Sequence, residues 1–162
     1  MGETIPVLNR ALTCIVQLVG VPYVESDDQT QAEITEWMDS VVVNRIQTGF
    51  ANWVPNWLYD HLLYGRAHAE LILPDSRNDI YAIQELHTRT IELRPDPDLY
   101  SLNIVQILAM RGMWVELNKR LIVTAVHDCR QDLPQGTSLL FGLPFVGEIF
   151  TAMMKNQKRI IE

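Results

Sequence analysis

YGRAHAELILPDSRNDIYAIQEL, residues Tyr64 to Leu86, is the stretch on which the fold turns. Up to its second residue the chain reads as helix. Val54, Trp57, Leu58 and Leu62 form one stripe over 53–64, Pro55 suits the first turn, and Gly65 suits the position just past the last turn. After Gly65 the period drops to two. Ala67, Ala69, Leu71 and Leu73 alternate with Arg66, His68, Glu70 and Ile72; PDSRND then supplies a turn, and IYAIQEL resumes an extended pattern. The stretch predicts a β-hairpin entered directly from a helix.

Upstream, Leu8, Leu12, Ile15, Val16 and Val19 have helical spacing over 7–19, although the β-branched content leaves a strand open. TQAE, Thr30 to Glu33, has the Thr-x-x-Glu pattern of a capping box. Ile34, Trp37, Met38, Val41, Val42 and Ile46 follow at intervals of three and four, which predicts a helix closed by Gly49. Downstream, extended segments are expected over 88–93, 102–108 and 121–127, with RPDPD and the Arg111–Gly112 region as turns. Strands that follow one another without intervening helices favour an antiparallel or mixed sheet. Near the end, Thr137 or Ser138 caps a short turn and Pro144 begins a helix with the stripe Phe145, Ile149, Ala152, Met153 and Ile160, running to Glu162. The expected fold is α+β: N-terminal helices, a small antiparallel or mixed sheet, and a C-terminal helix, in one domain over 1–162.

Composition narrows the function. The chain has 162 residues, 48% of them hydrophobic, enough for one real core. Its net charge of −7 argues against a surface that grips nucleic acid through many phosphates. No apolar run approaches the ~18 residues that span a bilayer, so no membrane partner is expected. The N-terminus has no basic region of a secretory signal, and Pro6 stands where a myristoylation motif needs Ser or Thr. Cys14 and Cys129 match no metal spacing and read as two buried, reduced thiols.

Catalytic constellations are missing too. In PQGTSLLFGLPFVGEIF, residues 134–150, Gly142 and Gly147 have the spacing of a nucleotide-binding loop, but Glu148 occupies the position that needs Lys and would repel a phosphate. His61 falls on the stripe of its helix and reads as a core or boundary residue, and His87 stands alone. His68 and Glu70 share a strand face and read as a solvated or interfacial pair rather than a catalytic one. In HDC, residues 127–129, consecutive strand positions point to alternate faces and cannot converge on one substrate or metal. The expectation is therefore no enzyme, with no catalytic, cofactor-binding or metal residues and no cofactor.

Three runs carry a resemblance: LYDHLLYGRAHAELIL, IYAIQELHTRTIEL and LIVTAVHDCRQDLPQGTSLLFGLPFV. In order and spacing over 53–162 the chain resembles the portal proteins of tailed bacteriophages and prophages, and looks like the N-terminal wing part of one, with stem, clip and crown missing. The resemblance implies a virion structural protein: a homo-oligomer, dodecameric in the family, forming a ring at the capsid vertex for DNA packaging, genome ejection and head-tail joining. It implies as partners the terminase large subunit, capsid or scaffold proteins and head-completion proteins, with duplex DNA passing through without sequence-specific binding. The implied location is the virion, and the bacterial host cytoplasm during assembly.

Two other classes stay open on the residues alone. One is a small cytoplasmic enzyme using His68 and Glu70, or His127; the other is an acidic adaptor or interaction domain docking a basic partner. A C-terminal stripe that ends without a stop signal further predicts an exposed apolar patch.

Overall fold

The computed structural model describes residues 6–76, 79–96, 101–108, 112–129, 134–143, 145, 147–149, 151–153 and 156. Three helices open the chain: α1 (Pro6–Val19), α2 (Asp28–Ser40) and α3 (Phe50–Tyr64). Leu12 and Val16, one turn apart, are the buried line of α1, so the first segment is helical rather than extended. It leans on α3, where Tyr59 Oη donates to Asn9 Oδ1 at 3.1 Å.

The second helix departs from the expected bounds at both ends. Asp27, not Thr30, is its cap: the carboxylate Oδ1 accepts from Thr30 N at 3.1 Å and satisfies a first-turn N–H, and hydrogen bonding to the Thr30 side chain first and to its backbone second holds Asp27 below the usual carboxylate range. The helix then stops at Ser40, nine residues before Gly49. Val41, Val42 and Val43 are β-branched and have a better use than another turn. Val42 N donates to Tyr81 O at 3.3 Å and Ile83 N donates to Val42 O at 2.9 Å, so the segment covers a strand edge. Ile46, counted in the stripe, sits at the tip of a tight turn and is 90% exposed.

Gly49, at φ 87°, is the N-cap of α3, which begins at Phe50 rather than near Trp53. Pro55 therefore lies inside the helix. The carbonyl its missing N–H would have paired belongs to Ala51, an exposed residue that water can reach. Gly65 closes α3 at φ 76° as expected.

After Gly65 come β1 (Arg66–Ile72), β2 (Ala82–Leu86), β3 (Ile91–Pro95), β4 (Leu102–Leu108), β5 (Met113–Glu116) and β6 (Ile122–Val126). The predicted hairpin is present, with β1 and β2 antiparallel and His68 opposite Leu86. The expected single sheet is instead two antiparallel three-stranded sheets, ordered β2-β1-β6 and β3-β4-β5. The fold is α+β. The segment expected to extend from Thr88 starts later, because Thr88–Thr90 is a 3-10 turn. The turn at Gly112 leads into β5, a strand the pattern did not suggest.

The layers are helix, sheet, sheet. One face of β1 supplies Ala69 and Leu71 to a core with Val41, Val43, Trp53 and Ile83, against which Trp37, Phe50 and Trp57 pack. Those rings form a chain of contacts from Trp37 through Phe50 and Trp53 to Trp57, with centroids 5.2–5.3 Å apart. The opposite face joins a second core, in which Leu86, Ile122 and Val126 meet Ile91, Leu93 and Ile104 of the other sheet. As the middle strand with both faces covered, β1 buries Ala67, His68 and Ala69 in succession.

The stretch 134–143 closes the architecture on α3. Ser138 Oγ donates to Leu63 O at 2.6 Å, Leu139 N donates to Leu62 O at 3.0 Å, and Ser138 Oγ accepts from Leu140 N at 3.0 Å. The last carbonyls of α3 thus find donors from a segment more than seventy residues away. The approach is so close that a Cβ on Gly136 would collide with Gly65 O and Val126 Cγ1, and Gly136 is at φ 69°. Beyond Gly142 the described residues are helical, and Thr151 Oγ1 donates to Gly147 O at 2.7 Å. Pro144, Ile160 and the run to Glu162 lie outside the described residues.

Candidate functional site

His68 is 0% exposed, so the solvated pair expected with Glu70 does not exist. The two share a face of β1 but no hydrogen bond joins them; His68 Nδ1 lies 3.1 Å from Thr124 Oγ1 on β6, and its Nε2 has no partner among the described residues. Burial, reinforced by the Arg66 charge, pushes the imidazole down to about 4. A neutral ring locked between two sheets has no path to a substrate.

His61 is a boundary residue, as expected. It stacks on Trp57 at 6.2 Å and meets His127 edge-on at 5.6 Å; burial first and His127 second lower its pKa, against the backbone of Ala125. His127 is not on a strand. β6 ends at Val126, and the chain bends through Asp128, which has φ 46°, to Cys129. His127 serves the backbone: its N–H donates to Gly65 O and its carbonyl accepts from Thr137 N, both at 2.8 Å. His87 is exposed, and its carbonyl accepts from Thr90. No group of three or more metal-ligating side chains forms among the described residues.

The cysteines correct the expectation of buried thiols, since both are exposed and neither is in a disulfide. Cys14 is on α1 between Leu12 and Val16 in sequence, and so points away from their buried line.

A carboxylate pair escaped the sequence reading because its members lie on different elements. Asp60 on α3 accepts from Thr88 Oγ1 at 2.7 Å, and Glu85 on β2 is pushed up to about 7 by burial and, secondarily, by the Asp60 charge. Arg66 joins three parts of the chain, donating to Ile91 O at 3.2 Å and to Gln135 Oε1 at 3.0 Å.

None of these groups converges on an open cleft. Two clefts lie on the described surface, and of the groups above Glu70 borders one of them. One of about 780 Å³ lies between residues 42–48 and the hairpin, beside Tyr81 and Gln84; another of about 610 Å³ is bounded by Glu70, Asp75, Asn118 and Arg120. The conspicuous surface is apolar. Val7, Leu18 and Val19 of α1, then Val21 and Tyr23, are exposed, as are Met113, Trp114 and Val115 of β5. Phe141, Phe145, Ile149 and Met153 extend the set, with Phe145 71% exposed, so these described residues of the C-terminal segment are exposed one by one, as a patch would require.

No protein-family profile matches the sequence, and no curated protein matches it. The backbone does have relatives. Over 98% of its length the chain matches a chain in the structure described as the neck of an empty gene transfer agent particle computed with C6 symmetry, with a TM-score of 0.77 and 16% identity. The fold resembles that of a neck chain. A chain of the virion of the native gene transfer agent particle matches over the same share, with a TM-score of 0.76 and 15% identity. The protein spans 43% and 42% of those two chains, and at such identity the likeness is one of fold.

Proposed function

We propose that the protein is a structural subunit of a phage-like particle, corresponding to the wing of a portal-type ring at the head-tail vertex. The observation that supports this best is the fold shared along 98% of the chain with chains of a particle neck and a virion. The portal resemblance of the three runs between Trp53 and Val146 points the same way, as do apolar surfaces suited to burial between subunits. In this reading the chain works by assembly and not by catalysis. Its histidines and carboxylates are framework groups, it needs no cofactor, and duplex DNA slides past it without being held. Terminase, capsid or scaffold and head-completion proteins are its partners, in the virion and in the bacterial cytoplasm during assembly. Native mass spectrometry and electron microscopy of the purified protein test the reading. Closed rings of one defined copy number are expected, and a monomer at every concentration up to the millimolar range overturns it.

A further inference from the structure

The second sheet is an insertion in the first. β3, β4 and β5 follow one another as a meander between β2 and β6, which both pair with β1, so the chain leaves the first sheet after Leu86 and returns to it at Ile122. Each crossing is made through a 3-10 turn, Thr88–Thr90 on the way out and Lys119–Leu121 on the way back. Within each sheet the strands are laddered by backbone hydrogen bonds. Among the described residues no ladder joins the two sheets. The second core holds them face to face, together with the bond from Arg66 to Ile91 O. A body tied to its neighbour by two short turns and by side chains can open as a unit more easily than the whole fold unfolds.

His68 lies in this seam. Its register partners are Leu86 on β2 and Thr124 on β6, which puts it on the face of β1 that meets Ile91, Leu93 and Ile104. Arg66, two residues earlier, shares that face. Each has a buried nitrogen with no partner among the described residues, Nε2 of His68 and Nε of Arg66.

The surroundings offer a charged imidazole no counterion. β4 and β6 contain no charged residue, and the one on β2, Glu85, is in register with Ala69 on the opposite face. Glu92 of β3 and Glu116 of β5 share the other face of their sheet through Val105, and Glu92 is paired with Arg94. At the turns, Arg89 lies over the Tyr64 ring, Lys119 pairs with Asp96, and Arg120 borders an open cleft beside Glu70. Glu70 shares the His68 face without bonding to it. The charge that acts on the imidazole is that of Arg66, and it repels a proton.

We propose that β3-β4-β5 is a hinged flap, closed while His68 is neutral and opened by its protonation, which swings about Thr88–Thr90 and Lys119–Leu121 and uncovers the second core. The first sheet stays in place, because β1 is laddered to β2 and β6 and its other face is packed in the first core. In the open form the imidazole meets water and regains its ordinary affinity for a proton, whereas in the closed form it takes one up near pH 4. Closure is therefore fully favoured above pH 6.5 and weakens as pH falls toward 4. From pH 7.5 to 4.5 the ratio of open to closed protein rises roughly 50- to 100-fold.

Hydroxyl-radical footprinting of the full chain, read by mass spectrometry, separates such a flap from general unfolding, because the two cores contain different residues. On going from pH 7.5 to 4.5, modification of Leu86, Leu93 and Ile104 should rise by up to that ratio while Val41, Trp53 and Ile83 stay protected. In His68→Leu neither set should respond. His68→Gln, polar but without a titrating group, repeats the comparison if the leucine variant does not fold. Equal gains in both cores, a second core unchanged in the wild type, or a gain that persists in a non-titrating variant would overturn the flap.

Discussion

Lowering the pH should loosen the protein through one side chain, and the size of the effect follows from where His68 sits. Its folded pKa is about 4 against an ordinary 6.5, because the ring is buried between the sheets and faces the Arg66 charge. A depressed histidine pKa means that the unfolded chain takes up the proton first. The stability it supports is complete above pH 6.5 and is lost as pH falls toward 4. Between pH 7.5 and 4.5 this amounts to roughly 2–3 kcal/mol, a large part of the margin of a small domain. The test compares wild type with His68→Leu in urea unfolding, followed by tryptophan fluorescence at several pH values. Leucine fills the site without titrating, and Thr124, its neighbour on β6, keeps contact with water. Every other titrating group is common to the two proteins and cancels. The stability difference between them should therefore shift by roughly 2–3 kcal/mol in favour of the variant over that range. A difference that stays constant with pH would refute the buried, neutral imidazole.

Glu85 carries the opposite sign: its folded pKa of about 7 lies above 4.5, so its contribution is present below pH 4.5 and fades as pH rises through 7. Glu85→Gln should match wild type near pH 5 and exceed it at pH 8 by about 1–2 kcal/mol, after discounting for partial exposure, in the same unfolding assay. Gly136→Ala should cost about 3 kcal/mol or more, since a methyl group there meets the backbone of Gly65 at a positive φ, and thermal melts would read the loss. With a net charge of −7 the chain should show only faint duplex DNA binding in fluorescence anisotropy, vanishing near physiological salt; tight binding there would contradict the sliding role.

How far the sequence could be read depended on whether a pattern was local. The hairpin at Arg66–Leu86 was legible because alternation, turn and alternation lie side by side. The end of α2 was not. Val41, Val42 and Ile46 fit a helical stripe by spacing, and only the presence of a strand edge at Tyr81 and Ile83 shows why the valines extend instead. The same non-locality hid the second sheet. β1 pairs with β6 across more than fifty residues, and alternation on β1 suggests one wet face when both are covered. His68 was misjudged for that reason alone. β5 was missed because MWVE, exposed on both faces, has no period to detect. Of the candidate surfaces, the C-terminal stripe was visible in advance through Phe145, Ile149 and Met153, whereas the Asp60–Glu85 pair needed the packing of α3 on the sheet to exist at all.

The clasp of residues 136–139 on the end of α3 also has a mechanical meaning. Tension applied at Leu139 first meets, among the described residues, the bonds from Leu139 N to Leu62 O, Ser138 Oγ to Leu63 O and Thr137 N to His127 O, and behind them those from Arg66 to Gln135. These links are loaded one after another from Leu139 inward, so they part in sequence, and the load then passes through Gln135 to Arg66 of β1. A twist is handled differently. Because Gly136 is wedged against Gly65, rotation of the outgoing segment turns α3 with it, and the joint gives way under a pull yet transmits torque.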